Sequence, residues 1–168
     1  MKRLILTIAL MLGVAAMASA QNYAVVNSEK IFKSIESYNA AISELDKLAN
    51  DYQTEVDKQF EEVENLYNKY MERRSELNAA SQQATEKKIL EMEQAATSYQ
   101  ESIFGTDGTL MKKRLELIQP IQQRVFAAIE EYAQKKGFDM IIDVAQNATM
   151  LYYAPKADHT QAVIDMLK

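Results

Sequence analysis

The chain of 168 residues has no cysteine, no tryptophan, one histidine, two prolines and four glycines. Without cysteine there is no disulfide framework, no thiolate nucleophile and no cysteine-based metal site, so stability must come from packing or from oligomerisation. His159, alone, cannot build a histidine metal cluster or a Ser-His-Asp triad within one chain. It reads as a surface residue at a helix start. Glu61, Glu62 and Glu64 could pair for acid-base work, but on a polar helix nothing buries them to shift a pKa, and they read as a solvated face. Gly105-Thr106-Asp107-Gly108 lacks the glycine spacing and the Lys-Ser/Thr pair of a phosphate loop and reads as a hinge. With no nucleophile-base pair, ligand cluster or cofactor loop, neither catalysis nor a metal or cofactor is expected.

Positive charge is also short, at 19 basic against 24 acidic residues. Setting aside Lys2 and Arg3 leaves 17 basic residues against the same 24 acidic, a net charge of -7. Such acidity argues against nucleic-acid binding, which needs a basic surface to displace counterions, and against attraction to anionic lipid. The apolar run Leu4 to Val14 is shorter than the roughly twenty residues of a membrane span. With Lys2-Arg3 before it and Ala18-Ser19-Ala20 after it, residues 1–20 read as a secretory signal peptide cleaved before Gln21. No cysteine at that junction means no lipid anchor on the mature amino terminus. The mature chain, 21–168, is expected to be a single domain, soluble in an exported compartment, with no stable membrane insertion.

What the chain has in plenty is helical periodicity. Between Ser43 and Lys136 two long helices fold back on each other. In the first arm apolar residues recur at Leu45, Leu48, Tyr52, Val56, Phe60 and Val63, then at Tyr67, Tyr70 and Leu77. In the second they recur at Ile89, Met92, Ala96, Tyr99 and Ile103. Steps of three and four place each set on one narrow stripe, the pattern of a coiled-coil seam. At ~1.5 Å per residue each arm spans roughly 50 Å. The tip lies near residues 78–82, with Ser81 capping the returning helix. Gly105 and Gly108 interrupt the return; Leu110, Met111, Leu115, Ile118, Ile121 and Val125 then resume the stripe. Pro120 bends this helix rather than ending it, and Lys135-Lys136-Gly137 stops it.

The strands come from the two ends. Tyr23 to Asn27 is a short strand, followed by a helix capped by Ser28; Ser37-Tyr38-Asn39 loosens the chain before the first arm. Phe138, Met140, Ile142 and Val144 alternate with Asp139, Ile141 and Asp143. Thr149 to Ala154 forms a second strand paired to this one as a hairpin, Gln146-Asn147-Ala148 making the turn. Asp158 caps a closing helix. The fold class is α+β, mostly α: a small β body (21–42 and 110–168) carrying a helical hairpin arm (about 43–109). Small sheets with open edges are marginal alone and are completed by other copies. Val25, Val26, Met140, Ile142, Val144, Leu151 and Tyr153 are the candidate residues of an oligomeric body.

The order strand, helix, polar helical hairpin, strands and closing helix resembles the OmpH/Skp family of periplasmic chaperones. The matching stretches are Val25 to Phe32, Gly105 to Gln122, Gly137 to Asp143 and Asp158 to Leu167. The resemblance implies a jellyfish-shaped homotrimer. Its helical arms would enclose unfolded outer-membrane proteins and keep them soluble without ATP. This chain is acidic where the best-known relative is basic, which argues against charge-assisted capture of lipopolysaccharide. Tyrosine and methionine, nine of each, make adaptable apolar contacts suited to holding varied clients. Tyr52, Phe60, Tyr67, Tyr70, Met71, Met92, Tyr99 and Phe104 are the candidate client contacts. The alternative is a structural adaptor docking an envelope protein through its tip, although Asn78 to Gln82 offers little apolar surface for that.

Overall fold

The computed structural model describes residues 22–146 and 149–168. Residues 1–20, read above as a signal peptide, and part of the expected 146–148 turn lie outside the described residues. In chain order the elements are β1 (Tyr23–Val26), α1 (Ser28–Lys33), α2 (Glu36–Arg73) and a 3-10 turn (Arg74–Glu76). Next come α3 (Ala79–Phe104), α4 (Thr109–Lys136), β2 (Met140–Asp143), a second 3-10 turn (Pro155–Ala157) and α5 (Thr160–Leu167). They form two compact units, one from residues up to Ile35 with Gln123–Lys168, the other Glu36–Gln122.

In the first unit, β1 and β2 pair in parallel with Tyr23 opposite Met140 and Val26 opposite Asp143. Parallel partners require a crossover; here everything from α1 to α4 supplies it. This replaces the expected hairpin. Thr149 to Ala154 is not a strand, because β2 takes its backbone partner from the other end of the chain. Ala24, Val25 and Val26 are buried with Ile31, Val125 and Val163 as the unit's core. Asn27, not Ser28, caps α1, its Oδ1 accepting from the Lys30 N–H at 2.9 Å. Ser28 instead donates its N–H to Asp143 at 3.0 Å. The Thr160 hydroxyl accepts the Asn27 N–H at 2.9 Å, tying the front of the chain to α5. His159, not Asp158, is the residue that caps α5, without a side-chain bond; Asp158 accepts the Thr160 N–H at 2.9 Å from one position earlier. α4 closes in a Schellman turn: Gly137 at φ 68° lets Phe138 N–H reach Ala133 C=O at 2.9 Å.

In the second unit α2 starts at Glu36, so Ser37-Tyr38-Asn39 is helical and the break before it falls at Ser34-Ile35. Buried Ala41, Leu45, Val56 and Tyr70 of α2 mark its seam, with Ala96 and Ile103 from α3. Burying a side chain such as Val56 stabilises by roughly 1.5–3 kcal/mol. The expected stripe drifts in one place: Leu66 turns partly inward and Tyr67 outward, since 3.6 residues per turn does not keep a strict 3.5 repeat. Met111 and Leu115 are likewise exposed on α4, whose Ile118 joins Ala41 and Leu45 in a cluster covered by Tyr38, Ile42 and Leu110.

The reversal is held by side-chain amides. Asn78, rather than Ser81, caps α3, accepting the Ser81 N–H at 2.9 Å. Gln82 donates to the carbonyls of Arg74 and Leu77, each at 3.0 Å, tying the start of α3 to the 3-10 turn and the residue after it. At the hinge, Gly105 ends α3 and Gly108 starts α4, the Lys112 N–H returning to Gly108 C=O at 3.1 Å. α4 continues through Pro120 without ending.

Candidate functional site

Where α2 and α3 approach the reversal they leave an open groove of about 850 Å³ between them. Its α2 wall carries Phe60, Val63, Glu64, Tyr67, Tyr70 and Met71. Arg74 closes the end next to the reversal, and α3 contributes Glu86, Ile89, Leu90 and Glu93. Three apolar side chains stand out toward solvent: Tyr67 and Met71 are each 48% exposed and Leu90 is 64% exposed.

Tyr70 fixes the floor. Its ring is buried and its hydroxyl donates to Glu86 Oε1 at 2.5 Å. The Arg74 guanidinium stands 5.9 Å from the ring centroid and 3.7 Å from Glu86. The bond to Glu86 raises the Tyr70 pKa, since losing the proton would break it and place a phenolate beside a carboxylate; burial adds to this and Arg74 opposes it. The phenol therefore stays neutral and a donor, which holds the two helices in register at this end.

Four of the eight candidate contacts, Phe60, Tyr67, Tyr70 and Met71, line this groove. Tyr52, Met92 and Tyr99 lie elsewhere along the arms, half-buried. Phe104 borders a smaller groove of about 240 Å³ at the hinge with Leu45, Met111 and Arg114. Sequence reasoning missed Arg74, Glu86 and Leu90. Leu90 follows stripe residue Ile89 directly, and its neighbour's place on the seam was the available signal that it faces away.

In the first unit, Val25 and Val26 are enclosed by the chain's own core. Ile142, Val144 and Tyr153 are half-buried, whereas Met140 and Leu151 are exposed. His159 stands at the helix start expected for it but is only partly exposed. It sits half-buried, Nδ1 2.7 Å from the Tyr132 hydroxyl and its ring edge-on to Phe138 at 4.8 Å. The Phe138 and Tyr132 rings gather around it because the Gly137 turn folds Phe138 back. Among the described residues no group of His, Cys, Asp and Glu is arranged to hold a metal ion, and no helix is long and apolar enough to cross a membrane.

Residues 22–167 match the family model described as Outer membrane protein (OmpH-like). A protein of Aquifex aeolicus (strain VF5), known as an uncharacterised protein, is 27% identical over 159 residues, covering 95% of this chain and 93% of its own length.

Proposed function

The chain belongs to the OmpH-like family, and from that membership we propose that it is a periplasmic holdase, not an enzyme. It binds unfolded outer-membrane and other exported proteins and prevents their aggregation without ATP or any cofactor. In this reading the protein acts as a homotrimer whose helical hairpins surround the client. The observation that supports it most directly is the open groove on the hairpin. It exposes Tyr67, Met71 and Leu90, side chains that accept varied apolar partners without one required geometry. A chain lying there makes many weak contacts, each easily broken, and leaves without fuel.

The test is light scattering of a β-barrel membrane protein diluted from urea, with and without the mature chain, with mass read by multi-angle scattering. Suppressed aggregation at about one trimer per client is the expected result. The same groove lies beside the reversal, which also suits an adaptor that docks one folded envelope protein. An oligomer that leaves aggregation untouched but binds such a partner stoichiometrically selects that second reading.

A further inference from the structure

The groove is apolar on its walls, yet its charges are uneven. At the end next to the reversal Arg74 and Glu86 neutralise each other. Along its walls stand Glu64 of α2 and Glu93 of α3, both exposed. Among the described residues neither carboxylate makes a salt bridge or a side-chain hydrogen bond. Arg74 is engaged already, so no cation of the groove is left to compensate them. Two free carboxylates beside Tyr67, Met71 and Leu90 give an apolar trough with a negative rim. An apolar segment lying in that trough displaces water, and a cation it carries then interacts with the rim at lower screening than on open surface.

We infer that the groove selects, among unfolded client segments, those in which lysine or arginine alternates with aromatic or aliphatic side chains. The apolar side chains lie against Tyr67, Met71 and Leu90; the cations meet Glu64 and Glu93. Acidic segments are turned away, since like charge at a rim costs affinity as well as encounter rate. The inference rests on the holdase reading for its client, and it assigns that client a chemistry.

The mature chain contains no tryptophan, so one tryptophan in a synthetic peptide is the only indole that emits. Three peptides of twelve residues serve as probes: leucine and tyrosine alternating with lysine, the same with glutamate for lysine, and the first with serine for its apolar residues. The lysine peptide is expected to bind about tenfold tighter than its glutamate twin at low salt, a preference that fades as salt rises. Glu64→Gln with Glu93→Gln, which keeps shape and packing, should bring that ratio close to one. Glu61→Gln with Glu62→Gln, on α2 but outside the groove, should leave it unchanged. An undiminished ratio in the Glu64/Glu93 variant overturns the inference, as does a serine peptide that binds as well as its apolar parent. Aggregation suppression is measured on the same preparations. A wild-type chain that suppresses aggregation without any charge preference overturns the groove inference and leaves the holdase reading standing. Charge-selective peptide binding with no suppression supports the groove and removes the holdase.

Discussion

Asp143 ties the two ends of the chain together through one carboxylate. It accepts the Ser28 N–H at 3.0 Å, the Ser28 hydroxyl at 2.5 Å and the Ala145 N–H at 3.0 Å. Burial by itself would raise its pKa; the hydroxyl of Ser28 and the two backbone donors outweigh that, and the net shift is downward. A carboxylate whose folded pKa is depressed contributes stability above its unfolded pKa and loses it as pH falls through the folded value. Asp143→Ala is therefore expected to destabilise the chain by about 1 kcal/mol at pH 7, the site being mostly exposed and screened. Urea titrations of both proteins should show the gap closing as pH falls below about 4. A gap of the same size at pH 2.5 would mean that the bonds do not depend on the carboxylate's charge. Asp158, lowered in the same sense against its own burial by the hydroxyl and N–H of Thr160, adds to the acid sensitivity of this unit.

Between residues and the molecule stand the element ends, where two glycines differ in why they are needed. A Cβ on Gly108 would lie 2.4 Å from Ile103 O and 2.7 Å from Ile103 C, both backbone atoms that cannot swing away. A Cβ on Gly137 meets nothing within 4 Å, but its φ of +68° is one that other residues adopt at a cost. Gly108→Ala should thus lower stability by about 1–3 kcal/mol, as overpacking does, and Gly137→Ala by only about 1 kcal/mol. Urea midpoints rank the two, and the reverse ranking would mean that the hinge backbone opens freely. Elements of this kind were legible from sequence where their cause is local. The period of the arms, the paired glycines at the hinge and the Lys-Lys-Gly stop all act within a few residues. Caps were misplaced by one to three positions, at Asn27 and Asn78, because serine and asparagine compete for the same role. The parallel pairing of β1 with β2 was not legible, since local alternation in Thr149 to Ala154 reads as a hairpin partner while the actual partner stands more than a hundred residues away. His159 escaped for the same reason: its neighbours Tyr132 and Phe138 come from α4 and the turn after it. Of the candidate groove, the aromatic wall could be read from periodicity; the Arg74–Glu86 pair, set by how two helices meet at the reversal, could not.

For the whole molecule the unanswered demand is the sheet. Two strands are marginal alone; the outer side of β1 meets the segment before α5, the His159 N–H reaching Val25 C=O at 2.9 Å, while among the described residues no strand covers the other edge of β2. In the same unit Leu151 is 95% exposed and Tyr152 is 81% exposed, and among the described residues the backbone of neither makes a hydrogen bond. A leucine and a tyrosine outside any helix or strand, with free backbone donors and acceptors and with exposed Met140 in the same unit, are available to form a further strand with another copy. The homotrimer proposed above would use them so. Leu151→Asp with Tyr152→Asp should then reduce the mass measured by multi-angle scattering to that of a monomer. Helix content by circular dichroism should be retained, because the arms draw on the separate seam of Val56, Tyr70 and Ala96. Aggregation suppression should fall together with the mass, since a groove on a lone hairpin can hold a peptide but cannot surround a client. An oligomer that survives both substitutions would place the joint on another surface. A monomer that still suppresses aggregation would mean that a single hairpin is the working unit.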